Sequence, residues 1–326
     1  MNKVTVLGAG GWGLALALSL NANGHKVTVW SPFEEEVQNL LENRTNEKLL
    51  SGIIIPNNID ITTDLSVCKN DDLTVIATPS FAVRQTAQRL KEVKSSGIIV
   101  NVAKGFESTT LMRLSSVIEQ ELPNASITVL SGPSHAEEVA RKIPTMLTVS
   151  GKDEAACKKV QEIFSSETLR VYTNPDIIGV ELGGALKNVI AVAAGVCDGM
   201  GLGDNSKAAL ITRGLAEMAR LGEKLGAKAA TFSGLTGMGD LVVTCTSTHS
   251  RNHRFGELVG KGCAVDMALK QVGTVEGYFA CASAYKLAQR CGVDTPIIEL
   301  THKLLYEAYP VADIVKTLML RPFKEE

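Results

Sequence analysis

Short apolar segments alternate with amphipathic segments through the first half of the chain. Runs rich in Val, Ile and Thr predict strands at 3–8, 27–30, 73–77, 97–102, 126–130, 146–150 and 170–173. Helical periodicity between these runs predicts helices at 12–21, 34–43, 82–93, 111–122 and 155–164. Strands separated by helices indicate a mostly parallel sheet that is covered on both faces.

The pattern changes after Asn174-Pro-Asp176, and no further strand is predicted. Helices are predicted at 178–198, 206–225, 253–260, 264–270, 277–291 and 297–307. A chain of 326 residues is long enough for two domains. We therefore predict an α/β domain over residues 1–177 and an all-helical domain over residues 178–326.

The helix predicted at 178–198 is almost wholly apolar, yet it carries Lys187 in its middle. Gly183, Gly184 and Gly195 share a face with this lysine at helical spacing. Glycine inside a helix costs about 1 kcal/mol relative to alanine, so this face predicts close approach by another element. Lys187 has no carboxylate within reach on its own helix. It either extends to solvent or lies in a site where its charge is used.

Composition is that of an ordinary globular protein, with 45% hydrophobic and 21% charged residues. A net charge of -2 predicts no general attraction to nucleic acid or to an anionic membrane. The seven cysteines form no C-x-x-C, and neither a disulfide framework nor a metal site is expected, which favours the cytoplasm. The longest apolar run in the second half, Val189–Cys197, is shorter than the roughly 20 residues that span a bilayer. The apolar segment Leu14–Leu20 fits a helix after a glycine loop better than a signal peptide.

That loop reads Gly8-Ala-Gly10-Gly11-Trp12-Gly13, with a strand before it and a helix after it. In this context G-x-G-x-x-G predicts a Rossmann-like site where backbone N–H groups bind the pyrophosphate of a dinucleotide. The alternative is a tight turn between strand and helix. After the second strand the chain reads Trp30-Ser31-Pro32-Phe33. There is no acid for a ribose 2′-OH and no arginine for a 2′-phosphate, so NAD and NADP both stay open. The lack of an acid slightly favours NADPH over NADH.

Three further segments carry candidate binding groups. Lys104, Gly132 and Ser134 follow two later strands, where open α/β sheets bind ligands, although Lys104 could also be an ordinary surface lysine. In the second half, a polar glycine-rich loop over Gly234–Asp240 and beyond leads to Ser250-Arg251-Asn252 at the start of a helix. Hydroxyl, guanidinium and helix N-terminus together suit a phosphate or carboxylate; the alternative is simple N-capping by Ser250.

Taken together, the segments G-A-G-G-W-G, N-V-A-K-G-F-E, S-G-P-S-H-A-E-E-V, E-L-G-G-A-L-K-N-V, G-L-T-G-M-G-D-L-V-V-T-C, S-R-N-H-R-F-G and V-E-G-Y resemble the bacterial-type NAD(P)-dependent glycerol-3-phosphate dehydrogenases. The resemblance runs from Lys3 to about Leu287. It implies a helical domain like the C-terminal domain of 6-phosphogluconate dehydrogenase. It also implies a cytoplasmic homodimer that reversibly reduces dihydroxyacetone phosphate to sn-glycerol 3-phosphate for glycerophospholipid synthesis.

The resemblance also implies roles for single residues. Lys187 would be the proton donor and acceptor, and Lys104 would orient the carbonyl. The implied cofactor positions are Gly8, Gly10, Gly11, Trp12, Gly13, Lys104, Ala136, Arg251, Thr274 and Glu276. The implied substrate positions are Lys104, Gly132, Ser134, Lys187, Asp240, Ser250, Arg251 and Asn252. Two positions depart from the family pattern: Pro32 replaces a basic residue or histidine, and Thr274 stands where an apolar residue is common.

The sequence leaves two other functions open. A dehydrogenase for β-hydroxyacids could use the same two-domain plan with a helix lysine. A nucleotide-sensing regulator could keep the glycine loop, but it would have no need for Lys187, Asp240 and the Ser250–Asn252 cluster together.

Overall fold

The computed structural model describes residues 1–95, 97–323 and 325. Residues 324 and 326, at the end of the predicted helical domain, lie outside the described residues. The chain divides into two compact units, Met1–Glu181 and Leu182–Glu326. The predicted boundary after residue 177 lies at the first residue of helix α7 (Ile177–Gly199), and the division between the units also falls within this helix.

A mostly parallel sheet forms the centre of the first unit, as predicted. The strands are β1 (Lys3–Leu7), β2 (Lys26–Trp30), β3 (Thr45–Asn46), β4 (Leu50–Ile54), β5 (Asp60–Thr62), β6 (Leu73–Ile76), β7 (Ile98–Asn101), β8 (Ile127–Ser131), β9 (Thr145–Gly151) and β10 (Leu169–Thr173). Within the described residues, eight of them form one sheet in the order β10-β9-β8-β7-β6-β1-β2-β5. All its pairs are parallel except β8 with β9. Strands β3 and β4 form a separate antiparallel pair.

Helices of the first unit lie between the strands in sequence. They are α1 (Gly11–Ala22), α2 (Glu34–Asn43), α3 (Val83–Glu92), α4 (Leu114–Glu121), α5 (Ala136–Ala140) and α6 (Glu154–Phe164), with 3-10 turns at Leu65–Asn70 and Ser80–Ala82. The helix predicted at 111–122 begins too early, because Leu111 is left-handed, with φ of 62°. Helix α5 and the short strands β3, β4 and β5 were not predicted, since segments this short show no clear periodicity.

Strand β1 is central to the first unit and positions the glycine loop. It pairs in parallel with β2 on one side and with β6 on the other. The N–H of Gly8 donates to the carbonyl of Trp30 at 2.8 Å, and Ala77 N–H donates to Leu7 O at 2.9 Å. The carboxyl ends of β1, β2 and β6 are therefore aligned at one edge of the sheet, where α/β sheets bind ligands.

The described residues of the second unit contain helices and no strand, as predicted. After α7 come α8 (Gly203–Lys224), α9 (Ala229–Phe232), a π-helix at Leu235–Gly239, α10 (Asp240–Thr246), α11 (Arg251–Gly260), α12 (Val265–Val272), α13 (Glu276–Cys291), α14 (Pro296–Tyr306) and α15 (Val311–Met319). The interpretation of the segment after Gly234 as a loop was wrong, because it folds into the π-helix and α10. Helices α9 and α15 were not predicted either.

The small face of α7 allows other backbones to approach closely, as its glycines predicted. A Cβ atom on Gly183 would lie 2.5 Å from the carbonyl oxygen of Thr236 in the π-helix. A Cβ atom on Gly195 would lie 2.0 Å from the carbonyl oxygen of His253 in α11. Both distances are far shorter than any real contact of a methyl group, so α7 packs here through backbone.

Helix α7 is also the one helix among the described residues that is long and apolar enough to cross a membrane. Its most apolar window has a mean hydropathy of 1.6, and 89% of that window is buried inside the protein. A buried core helix meets the same criteria of length and composition as a membrane span.

Candidate active site

The glycine loop after β1 packs closely at Gly8 and Gly13 and faces open space at Gly10. Gly8 has φ of 119°, and a Cβ atom on it would lie 2.8 Å from Ala77 O. A Cβ atom on Gly13 would lie 2.1 Å from Gly8 O, whereas one on Gly10 would meet nothing within 4 Å. No side chain caps the start of α1 at Gly10. The backbone N–H groups of the first turn thus fit the pyrophosphate of a dinucleotide.

Two other predicted cofactor residues belong here: Ala136, which packs against the loop, and Trp12, which is part of it. A Cβ atom on Gly11 would lie 3.7 Å from the Cβ atom of Ala136, which begins α5. Trp12 is half-buried and packs against the core of the first unit. Residues that stand far apart in sequence therefore border the same loop.

The end of β2 differs from what its sequence suggested. The hydroxyl of Ser31 donates to Oε2 of Glu36 at 2.5 Å. The residues Trp30-Ser31-Pro32-Phe33 themselves carry no acid, as the sequence shows, but a carboxylate from the first turn of α2 bonds to this strand end. Pro32 and Phe33 between them are exposed.

Three predicted substrate residues of the first unit meet at one carbonyl. Lys104 Nζ and Ser134 Oγ each donate to the carbonyl oxygen of Gly132 at 3.0 Å. Gly132 has φ of 138°, and a Cβ atom on it would lie 3.1 Å from Met146 O, so glycine is required here. Lys104 is half-buried and bonded, and it is not a freely solvated surface lysine.

Lys187 is held in the interior of the protein. Its residue is only 6% exposed, and its Nζ atom donates to Asp240 Oδ1 at 2.7 Å and to Thr244 Oγ1 at 2.6 Å. Asp240 is 1% exposed. Removing an ammonium and a carboxylate from water is expensive unless they pair closely and are hydrogen-bonded, which is the case here. The alternative in which Lys187 extends to solvent is excluded.

Thr244 completes this group, and the sequence did not identify it. Its hydroxyl donates to the carbonyl oxygen of Asp240 at 2.6 Å while it accepts from Lys187. Thr244 follows Asp240 by four residues, which places both on one face of α10. That spacing could have identified Thr244 if the segment had been predicted as a helix. We refer to Lys187, Asp240 and Thr244 as the lysine cluster.

The start of α11 carries the predicted anion-binding residues. The hydroxyl of Ser250 accepts from His253 N–H at 3.2 Å, so Ser250 is the N-cap. Arg251 is exposed, and its guanidinium makes no hydrogen bond or ion pair with the described residues. An exposed guanidinium at a capped helix N-terminus is a suitable site for a phosphate.

Asn252 links α11 to two other helices of the second unit. Its Nδ2 atom donates to Asn188 Oδ1 at 2.9 Å, and its Oδ1 atom accepts from Gly277 N–H at 2.9 Å. Asn188 follows Lys187 on α7, and Gly277 follows Glu276 at the start of α13. The carboxamide of Asn252 thus connects three predicted site segments. Thr274 is exposed in the turn before α13.

A second contact fixes α11 on α7. Oδ2 of Asp198 lies 2.8 Å from His253 Nε2 and 2.9 Å from Lys207 Nζ. Partial burial alone would raise the pKa of Asp198, but Lys207 and His253 hold this pKa below its ordinary value. The carboxylate is thus kept charged between α11 and α8.

Comparison with known proteins agrees with these features. Residues 3–157 match the family model of the NAD-dependent glycerol-3-phosphate dehydrogenase N-terminus, and residues 176–316 match that of the C-terminus. The chain belongs to the NAD-dependent glycerol-3-phosphate dehydrogenase family. This confirms the resemblance seen in the sequence, and with it the assignment as an NAD(P)-dependent oxidoreductase.

Members of the glycerol-3-phosphate dehydrogenase family match over the whole chain. The glycerol-3-phosphate dehydrogenase [NAD(P)+] of Clostridium perfringens is 49% identical over 329 residues, covering 100% of this chain and 99% of the relative. The protein of the same name from Fusobacterium nucleatum is 48% identical over 331 residues, with the same coverage. The crystal structure of glycerol-3-phosphate dehydrogenase from Coxiella burnetii is 36% identical, with a TM-score of 0.95 over 98% of this chain and 99% of that one. The predicted fold class is confirmed.

Proposed function

We propose that this chain catalyses the reversible NAD(P)H-dependent reduction of dihydroxyacetone phosphate to sn-glycerol 3-phosphate, with Lys187 as the proton donor. The observation that carries the proposal is the lysine cluster. It holds a charged ammonium in the protein interior, on a helix whose other side chains are almost all apolar. A buried, hydrogen-bonded lysine is well suited to general acid–base chemistry.

The proton is proposed to move at Nζ of Lys187. When bound, the nicotinamide supplies the hydride to the carbonyl carbon. The ammonium of Lys187 stabilises the negative charge that develops on the carbonyl oxygen and gives that oxygen its proton. Asp240 and Thr244 fix the direction of Nζ through their hydrogen bonds. In the oxidation direction the neutral amine takes the hydroxyl proton back.

Arg251 is proposed to bind the substrate phosphate. Its guanidinium can donate two parallel hydrogen bonds to phosphate oxygens, and the N-terminus of α11 adds a favourable dipole. Anchoring the phosphate would fix the position of the ketone and lower the entropic cost of reaction. Ser250 and Asn252 already make structural hydrogen bonds, so their contribution includes holding α11 in place.

In the first unit, the glycine loop is proposed to hold the pyrophosphate of the cofactor. Lys104 is proposed to orient the carbonyl of the substrate. Gly132 and Ser134 are proposed to hold Lys104 in place, because the side chains of Lys104 and Ser134 both donate to the carbonyl oxygen of Gly132. The sequence by itself suggests a slight preference for NADPH over NADH. A cytoplasmic homodimer without membrane insertion, supplying the backbone of glycerophospholipids, is a prediction from the resemblance.

Steady-state kinetics test the proposed function. The purified protein should oxidise NADH or NADPH with dihydroxyacetone phosphate, and it should show little activity with 3-ketoacids of the kind that β-hydroxyacid dehydrogenases form. Faster turnover of a ketoacid would favour that rival function. Tight dinucleotide binding with no turnover of either substrate class would indicate a nucleotide-sensing protein instead.

A further inference from the structure

The end of β2 lies beside the glycine loop within the first unit. The carbonyl of Trp30 accepts the N–H of Gly8, and the N–H of Ser31 donates to Thr62 O at 3.2 Å. Trp30 is further fixed by its indole N–H, which donates to Thr63 O at 2.8 Å. Ser31 is therefore held at the position where a Rossmann-like fold contacts the adenosine ribose.

Ser31 brings a carboxylate to this position. Its side chain is buried, and its hydroxyl accepts from Phe33 N–H at 3.3 Å while it donates to Glu36. Glu36 is half-buried, and Glu34 and Glu35 add two more charges in the same first turn of α2. The hydrogen bond to Ser31 distinguishes Glu36 from these exposed neighbours.

Arg89 is a basic group that lies near the end of β2. Pro32 and Phe33 follow Ser31 and carry no charge. The guanidinium of Arg89 lies over the Trp30 ring, 5.9 Å from its centroid. Arg89 is thus the positive group to weigh against Glu36, and it comes from α3 rather than from the turn after β2.

We propose that Glu36, held by Ser31, makes this chain prefer NADH to NADPH. The inference rests on the proposed binding of a dinucleotide at the glycine loop. A carboxylate accepts hydrogen bonds from a ribose 2′-OH but repels a 2′-phosphate, which carries up to two negative charges. Like charges a few ångströms apart and partly screened by solvent change an affinity by about 10-fold. This reverses the slight preference for NADPH that the sequence suggested.

Binding measurements separate this inference from catalysis. Dissociation constants for NADH and NADPH would be measured by titration calorimetry, and those for AMP and adenosine 2′,5′-bisphosphate would isolate the effect of the 2′-phosphate. The wild-type protein should bind NADH at least about 10-fold more tightly than NADPH at low salt, and the ratio should fall as salt rises. Glu36→Gln should lower the ratio about 10-fold, because it keeps the shape and removes the charge.

Glu35→Gln is the matched control. It removes the same charge from the same turn, but Glu35 has no bond to Ser31, so the ratio should change by less than about 2-fold. An equal effect of Glu35→Gln and Glu36→Gln would overturn the assignment to Glu36. Equal or tighter binding of NADPH by the wild-type protein would overturn the inference and leave the proposed function intact. Failure to bind either nucleotide would instead overturn the proposed function.

Discussion

The Nζ atom of Lys187 lies 2.7 Å from Oδ1 of Asp240, and both residues are buried. The ion pair joins α7 to α10 across 53 positions of sequence. The pair stabilises the fold, because each charge would be costly in the interior without the other, and the proposed reaction uses its lysine. A substitution of either residue therefore changes two properties, and the two must be measured separately.

Lys187→Met is expected to lower kcat by about 10² or more, because the proton donor is lost. It should also destabilise the protein by about 3–5 kcal/mol, since the buried carboxylate of Asp240 loses the positive charge that lies against it. The double variant Lys187→Met, Asp240→Asn should recover much of that stability without recovering activity. Steady-state kinetics, NADH titration and urea unfolding provide the measurements. A near-normal kcat in the folded single variant would exclude Lys187 as the proton donor.

Arg251→Ala is expected to raise KM for dihydroxyacetone phosphate at least about 10-fold, because a charge-assisted phosphate contact is lost. Arg254→Ala is the matched control, since Arg254 is an exposed arginine of the same helix one turn further on. It should leave KM within about 2-fold of the wild-type value. Equal effects of the two variants would show that α11 attracts the substrate only through its general charge.

Glu217 is expected to make stability depend on pH. Its carboxylate accepts from the N–H groups of Ile297 and Ile298 at the start of α14, and burial raises its pKa to about 7 from an ordinary value of 4.5. The folded state therefore keeps a proton that the unfolded state loses between these two values. Stability should fall by up to about 3 kcal/mol as pH rises from 4.5 to 7.

Urea unfolding of the wild-type protein and Glu217→Gln at pH 5 and pH 8 measures this effect. The free energy of unfolding of the variant minus that of the wild-type protein should be larger at pH 8 than at pH 5. The wild-type protein loses stability over this range, whereas glutamine does not titrate. Glu223→Gln, at an exposed position of the same helix, should show no such difference. A constant difference between wild type and Glu217→Gln at both pH values would contradict the prediction.

Gly195→Ala is expected to destabilise the protein by about 1–3 kcal/mol, although alanine is intrinsically the better helix former. The added methyl group would lie 2.0 Å from His253 O, so α11 would have to move. The same movement should raise KM for dihydroxyacetone phosphate. Thermal unfolding and kinetics test both effects, and a rise in the midpoint of unfolding would show that the helices can separate without cost.

Most of the first unit could be predicted because its buried strands are rich in β-branched residues and its turns carry clear signals. The tight turn predicted at Gly8 and Gly13 is present, since their spacing reflects a steric requirement. The second unit was harder. The segment after Gly234 was interpreted as a loop because its glycines usually break helices. Gly237 is instead required by close packing, because a Cβ atom there would lie 2.0 Å from Phe232 O.

Pairings between distant residues could not be predicted from local pattern. The sequence showed that Lys187 had no partner on its own helix but not that Thr244 would accept from it. It showed no acid directly after β2, whereas the fold brings Glu36 back to Ser31. In both cases the deciding contact depends on a turn whose geometry is set by tertiary packing. The family motif identified Asp240 as a candidate site residue. It did not reveal the hydrogen bond from Lys187 that explains why an acid stands there.

The contact between α7 and α11 has a consequence for substrate size. It runs from backbone to backbone, since Cβ atoms on Gly195 and Gly256 would each lie 2.0 Å from a carbonyl of the facing helix. Backbone atoms have no rotamers with which to absorb a misfit. The contact therefore fixes the distance between the ammonium of Lys187 and the N-terminus of α11. In the proposed function, where Lys187 gives the proton and Arg251 binds the phosphate, a ketone phosphate one carbon longer would place its carbonyl or its phosphate out of reach. Glycines that touch no substrate would then set the substrate length that fits.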